Sequence, residues 1–209
     1  MQMHRQPPGA SRTEDAVLAT ATRVFRRDGA LTARIESVCA EVGLSLEEVE
    51  TLYPSTEDML SAILARDFTG FREQLGLLLS REGLAWLSHL DDKEGGMWLT
   101  DNPDASFDRF LMLVEFDIGT ANLISLFKHP DWRHDLLAAE TGVIRQVGEQ
   151  LSQGQREGWI AHDVDCTGTA FMLYTLFVGL LTTRDMDIPT DHQALARAIA
   201  RLCRTLIPA

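Results

Sequence analysis

The sequence predicts an all-α fold, in which a small N-terminal three-helix domain containing a helix-turn-helix precedes a larger helical domain. Three observations support this. Apolar residues recur at three- and four-residue spacing through most of the chain, hydroxyl-x-x-acid or amide capping pairs precede several of these stripes, and no strand-type alternation is present on which to build a sheet. A length of 209 residues with 45% apolar composition suits one or two compact domains.

The elements follow in order. Residues 1–10 (MQMHRQPPGA) lack the apolar core of a signal peptide and predict a disordered arm, broken by Pro7, Pro8 and Gly9. Ser11 and Glu14 form a capping box for a first helix whose stripe is Val17, Leu18, Ala21, Val24 and Phe25, and Gly29 stops it. Ile35, Val38, Cys39 and Val42 mark a second helix ending at Gly43. Ser45 with Glu48 caps a third that buries Val49, Leu52 and Tyr53. Pro54 ends it, and Ser55 with Asp58 caps a long helix with Leu60, Ile63, Leu64, Phe68, Phe71 and Leu75 on one face. The spacing from Thr32 to Leu60 is that of a helix-turn-helix, although a plain helical corner has the same pattern.

Beyond it, Leu84, Trp86, Leu87 and Leu90 form a short amphipathic segment, and residues 91–106 predict a loop or lid. A stripe through Phe107, Phe110, Leu111, Val114, Ile118 and Ile124 predicts a continuous helix to about Phe127. Pro130 opens the next, with Trp132, Leu136, Val143, Ile144, Val147 and Leu151, and Gly158 closes it. The run AFMLYTLFVGLL at 170–181 is apolar almost all round, so burial on every side is expected, in part by a second copy of the chain; twelve residues are too few to span a bilayer. Thr190 and Gln193 form a capping box for a last stripe of Leu195, Ile199, Leu202 and Leu206.

Catalytic chemistry is not expected. There is no G-x-S-x-G, no Gly-rich phosphate loop after a strand and no H-E-x-x-H, and the paired acids Asp91/Asp92 and Asp163/Asp165 fall in loops or at helix starts. Cys39, Cys166 and Cys203 lie far apart without C-x-x-C spacing, as small core residues in a reducing compartment do. No disulfide, metal or cofactor is expected.

From Phe25 to Leu60 the chain resembles the TetR family of bacterial transcription regulators. Phe25, Gly29, Gly43, Ser45, Pro54, Ser55, Glu57 and Leu60 match the family pattern, and Val42, Leu44, Val49, Tyr53 and Met59 match in kind. The resemblance implies a DNA-binding domain over 11–53 and a ligand-binding and dimerisation domain over 54–209. It implies a cytoplasmic regulator, most commonly a repressor, that binds double-stranded DNA as a homodimer and is released by a small apolar ligand, without a membrane partner. Contacts to DNA would fall to Arg5, Arg12, Arg34, Ser45, Leu46, Glu47, Thr51, Ser55 and Thr56. The ligand would lie among Trp86, Trp98, Phe107, Phe110, Phe116 and Trp132, residues that suit an ordinary aromatic core equally, with His89, Glu115, Asp117 and Asn122 as nearby polar groups. The two subunits would meet through Phe171, Tyr174, Phe177, Leu181, Leu195 and Leu202.

Charge departs from this pattern where DNA should be met. The formal net charge is −12. From Ala33 to Asp58 the only basic residue is Arg34, against Glu36, Glu41, Glu47, Glu48, Glu50, Glu57 and Asp58. Family members usually place Thr, Lys or Arg, Gly, Tyr, His and Lys, in that order, where this chain has Ala33, Leu46, Glu47, Glu50, Thr51 and Thr56. Duplex affinity comes largely from neutralised phosphates, so a second reading stays open: a chain of the same fold that has lost operator binding and works through a protein partner or ligand sequestration.

Overall fold

The structure, a computed structural model, describes residues 8–91, 115–186 and 188–208, with side chains from residue 13. The expected arm contacts of Arg5 and Arg12, the loop after Asp91, and Trp98, Phe107 and Phe110 fall outside the described side chains. Nine helices and no strand occur among the described residues: α1 (Pro8–Asp28), α2 (Ile35–Val42), α3 (Leu46–Leu52), α4 (Thr56–Leu78), α5 (Arg81–Leu87), α6 (Thr120–Lys128), α7 (Pro130–Glu157), α8 (Cys166–Asp185) and α9 (His192–Leu206).

The chain packs as two compact units, Met1–Asp67 with Phe116–Arg133, and Phe68–Glu115 with His134–Ala209. The sequence places a domain boundary after Tyr53; by packing, the start of α4 and all of α6 group with α1–α3.

In the first unit α1 packs on α2 and α2 on α3. Val17, Val24, Phe25, Val38, Val49, Met59 and Ile63 form its centre, each fully buried. These are the positions the 3.6-residue period selects, and removing such side chains from water is the main stabilising term. Phe116, Ile118, Leu123 and Leu126 join this core. Helix α6 is shorter than the stripe predicted: residues 115–119 are not helical, and Gly119 at φ 83° sets the start at Thr120. A left-handed residue interrupts the helix regardless of the apolar spacing across it.

Two predicted caps shift. Helix α1 begins at Pro8, three residues before the expected Ser11, and proline suits that first helical position because its missing N–H would have no partner there. Helix α9 is capped by Asp191, whose Oδ1 accepts from Ala194 N at 2.9 Å, while the Thr190 hydroxyl turns back to donate to Ile188 O. An aspartate one residue nearer the helix displaces threonine, since both serve as caps and the carboxylate also meets the positive end of the helix.

The second unit is built on Phe71, Leu75, Leu79, Leu84, Leu87, Leu136, Leu151 and Phe177. Helix α9 packs on α5, and Arg204 ties the two through both oxygens of Asp91 (2.9 and 2.8 Å) and the Ser88 carbonyl (2.9 Å). The segment after α7 is held by Gln155, whose side-chain amide donates to the carbonyls of Ala161 and Val164, both at 2.9 Å.

Helix α8 differs most from expectation. It runs for 20 residues from an Asp165 cap, long and apolar enough by composition to cross a membrane. Within one chain it is buried on its inner side only. Leu173, Tyr174, Phe177, Leu180 and Leu181 face the core of their own unit, whereas Phe171 is 60% and Met172 43% exposed. Tyr174, Phe177 and Leu181, assigned from sequence to a subunit interface, are therefore intrachain core. Tyr174 donates to Glu140 Oε1 at 2.7 Å and meets the Phe71 ring edge-on at 6.0 Å.

Two glycines test this packing. A Cβ on Gly83 would lie 2.3 Å from the Leu77 carbonyl oxygen, whereas one on Gly142, in the middle of α7, would meet nothing within 4 Å. Gly83→Ala should destabilise the protein by about 1–3 kcal/mol through forced displacement. Gly142→Ala should stabilise it by about 0.5–1 kcal/mol through helix propensity. Urea unfolding of the two variants checks the pair, and equal effects would contradict the packing around α5.

Candidate nucleic-acid interface

The helix-turn-helix is closed by backbone geometry. Gly43 adopts φ 76°, ψ 27°, and its N–H donates to Cys39 O at 3.0 Å, ending α2 in the left-handed turn that glycine tolerates. Two residues on, Ser45 is extended and accepts from Glu48 N at 3.3 Å, while its own N–H donates to Glu48 Oε2 at 2.8 Å. This reciprocal box satisfies two donors that α3 would otherwise leave open. The backbone and hydroxyl of Ser45 hold the Glu48 carboxyl below its ordinary range. Thus Glu48 is occupied by the cap.

Val49 anchors α3 in the core, and the residues around it determine the outward surface. Leu46 is 41% exposed, and Glu47, Glu50 and Thr51 are exposed beside it. The Thr51 hydroxyl donates to Glu47 O at 2.7 Å, so its proton is directed into its own helix. Ser55 accepts from Asp58 N at 3.0 Å and donates to Asp58 Oδ2 at 2.7 Å, capping α4, and Thr56 is half-buried at that helix's first position. The outward face of α3 therefore combines one apolar side chain with two carboxylates.

The basic side chains Arg23, Arg26, Arg27 and Arg66 are engaged within the unit. Arg27 pairs with Asp28 at 2.7 Å and with Glu41, whose carboxylates raise its pKa further. Arg26 reaches Asp117 O at 3.3 Å, Arg23 donates to Thr20 Oγ1 at 3.1 Å, and Arg66 donates to Thr22 Oγ1 at 2.7 Å. Arg34 is exposed at the N-cap of α2 and makes no side-chain cap bond.

One structural role was not legible in the sequence. Asn122, expected among polar groups near a ligand, instead fastens α6 to the end of α1: its Oδ1 accepts from Ala30 N at 3.0 Å and its Nδ2 donates to Phe25 O at 3.3 Å. An asparagine inside an apolar stripe is the only sequence signal of such a tie. Asp117, likewise expected near ligand, lies 3.5 Å from Arg66.

Of the expected ligand residues, three are described. Phe116 (1% exposed) and the half-buried Trp132 belong to the first unit, and the half-buried Trp86 belongs to the second. Within the second unit, an open groove of about 430 Å³ runs between α7 and the start of α8, lined by Thr141, Ile144, Arg145, Gly148, Glu149, Ser152, Arg156 and Thr167. Among the described residues no cluster of His, Cys, Asp or Glu could hold a metal ion.

Comparison with known proteins places the architecture. No protein-family model matches the sequence, and no curated protein matches it. The fold is similar to that of a TetR-family transcriptional regulator from Cytophaga hutchinsonii, with a TM-score of 0.67 at 14% identity over 97% of this chain and 98% of that one. It is similar to the reduced form of NemR from E. coli (TM-score 0.62, 15% identity, 94% and 97% covered). It is also similar to the fatty acid degradation regulator FadR from Bacillus halodurans (TM-score 0.57, 14% identity, 95% and 98% covered). The chain thus has a TetR-like fold.

The cap that orients α3 is measurable. Ser45→Ala removes the acceptor for Glu48 N and should cost about 1 kcal/mol. Thr51→Ala removes an exposed hydroxyl serving its own turn and should change stability by no more than about 0.5 kcal/mol. Chemical denaturation distinguishes the two, and equal losses would mean that the box does not hold α3.

Proposed function

We propose that this TetR-like chain is a transcriptional regulator that binds double-stranded DNA as a cytoplasmic homodimer and is released by a small apolar ligand. The observation that supports it best is the closed turn between α2 and α3, with Gly43 left-handed and the Ser45/Glu48 box complete. A helix-turn-helix of this kind lays its second helix in a major groove, and a dimer addresses two half-sites about one helical turn apart. Leu46 would touch a thymine methyl, and Glu47 would accept from a cytosine amine. Phosphate contacts would come from Arg34, Arg5 and Arg12, and from backbone amides near Ser45 and Ser55. Residues 11–53 would thus serve DNA and 54–209 ligand and partner subunit.

A second reading is favoured by the acidic face of α3 and by the engagement of Arg26, Arg27 and Arg66 inside the unit. A chain of this fold could act through a protein partner, or by sequestering ligand, without an operator. Titration against the chain's own upstream DNA and an unrelated duplex, at two salt concentrations, separates the two. We expect weak wild-type binding with a shallow salt dependence, and Arg34→Ala should lower the log–log slope by about 0.9 for each phosphate that Arg34 neutralises. Glu47→Gly with Glu50→Tyr should tighten binding several-fold. Absence of wild-type binding at either salt, with binding gained by that double variant, would favour the partner reading.

Dimerisation is proposed through the outward face of α8, where Phe171 and Met172 are exposed, together with the half-buried Leu195 and Leu202 on α9. Large apolar side chains on an outer helix face suit the isologous contact of a two-fold dimer. Phe171→Glu should weaken self-association by roughly 30-fold or more, the effect of losing a central aromatic anchor, while leaving the folded monomer intact. Sedimentation of the wild type and this variant tests the assignment. A dimer unaffected by the change would place the interface elsewhere.

A further inference from the structure

In the first unit, the side chain of Asp67 is almost wholly withdrawn from water, at 5% exposure. It lies on α4 and faces the turn that starts α6. Its Oδ2 accepts from Ile118 N at 2.9 Å, but its Oδ1 is buried without a hydrogen-bond partner. Neighbouring Arg66 does not close that gap: its Nη2 donates to Thr22 at 2.7 Å and lies 3.5 Å from Asp117, and its Nε is itself buried without a hydrogen-bond partner. The turn is also held from α1, by Arg26 on Asp117 O, and α6 by Asn122 on Ala30 and Phe25. The Asp67 carboxyl, beside the longer Arg66–Asp117 pair, therefore links α4 to the segment that braces α1.

A buried carboxylate with one of its two oxygens unsatisfied is costly, whereas the neutral acid is accommodated more readily. We propose that Asp67 is a proton-operated latch: as the neutral acid it holds the 116–119 turn firmly on α4, and as the carboxylate it loosens that hold and with it the brace on α1. Burial pushes its pKa up to about 6, against the Ile118 N–H, which lowers it. The charged groups acting on it are Asp117 from the turn, which raises it further, and Arg66 from α4 and Arg26 from α1, which lower it. Helix α6 adds no titratable side chain from Thr120 to Phe127.

The sign follows from linkage. The folded state binds the proton more tightly than the open one, so the latch is strongest below the ordinary aspartate range near 4 and weakens as pH rises to about 6, levelling off above it. This holds whether the chain acts on DNA or through a protein partner, because it concerns only how firmly the unit is braced.

The test is NMR on the full chain, following the Asp67 carboxyl carbon and the Ile118 amide from pH 4.5 to 7.5. Both should titrate with a midpoint near 6. Protection of the Ile118 amide against hydrogen exchange, corrected for intrinsic rates, should fall roughly tenfold between pH 5 and pH 7. Asp67→Asn should abolish the amide step. His129→Gln should leave it in place, since His129 is the one histidine among the described residues of this unit. A carboxyl midpoint near 4, an amide step surviving in Asp67→Asn, or one lost in His129→Gln would each overturn the proposal. The wild-type carboxyl titration decides the matter even if Asp67→Asn does not fold.

Discussion

A helix leaves backbone donors open at its start and acceptors open at its end, and in this chain the side chains that meet them also determine where the next element goes. The Ser45/Glu48 box starts α3 two residues after Gly43 has ended α2, so the turn between them has little freedom. Ser55 caps α4 just after Pro54 has prevented α3 from continuing, and Asp165 and Asp191 do the same for the last two helices. At the other end of α1, the acceptor Phe25 O and the donor Ala30 N beyond the helix meet one amide, that of Asn122. Without these partners, the apolar faces would still collapse, but the angles between helices would be less well specified.

The same accounting explains why the α3 surface departs from the usual chemistry of a DNA-reading helix. Glu48 is required by the cap, and Glu47 lies in the first turn, where a carboxylate meets the positive end of the helix. Glu50 lies beyond that turn and is exposed, so helix stability does not explain it. Meanwhile Arg27, close enough in sequence to help, is held by Asp28 and Glu41. Exposed ion pairs of this kind add little to stability, but they reduce the positive charge available to a polyanion.

In the second unit, polar side chains tie the helices together around an apolar centre. Arg204 clasps Asp91 and the Ser88 carbonyl, and the Asp91 carboxyl is held below its ordinary range by that guanidinium. The Tyr174 hydroxyl is buried against Glu140, where desolvation and the neighbouring carboxylate both raise its pKa and keep it a hydrogen-bond donor. That bond joins α7 to α8 from the inside, and leaves Phe171 and Met172 on the outer side of α8.

Much of the fold was legible in the sequence because local rules act within a few residues. Gly43, Ser45, Glu48, Pro54, Ser55 and Pro130 marked helix ends correctly, since a left-handed residue, a cap or a missing N–H has its effect wherever the helix lies. The period through Val17, Val24, Phe25, Val38 and Val49 identified the core of the first unit for the same reason. The net charge of the α2–α3 segment also needed no coordinates. Tertiary structure alone decided the rest. Helix α8 is apolar around much of its circumference, so periodicity marks no face, and only its neighbours show that Tyr174, Phe177 and Leu181 turn inward while Phe171 turns out. The roles of Asn122 and Asp67 depend on partners 51 to 97 residues away, and no local pattern brings such groups together.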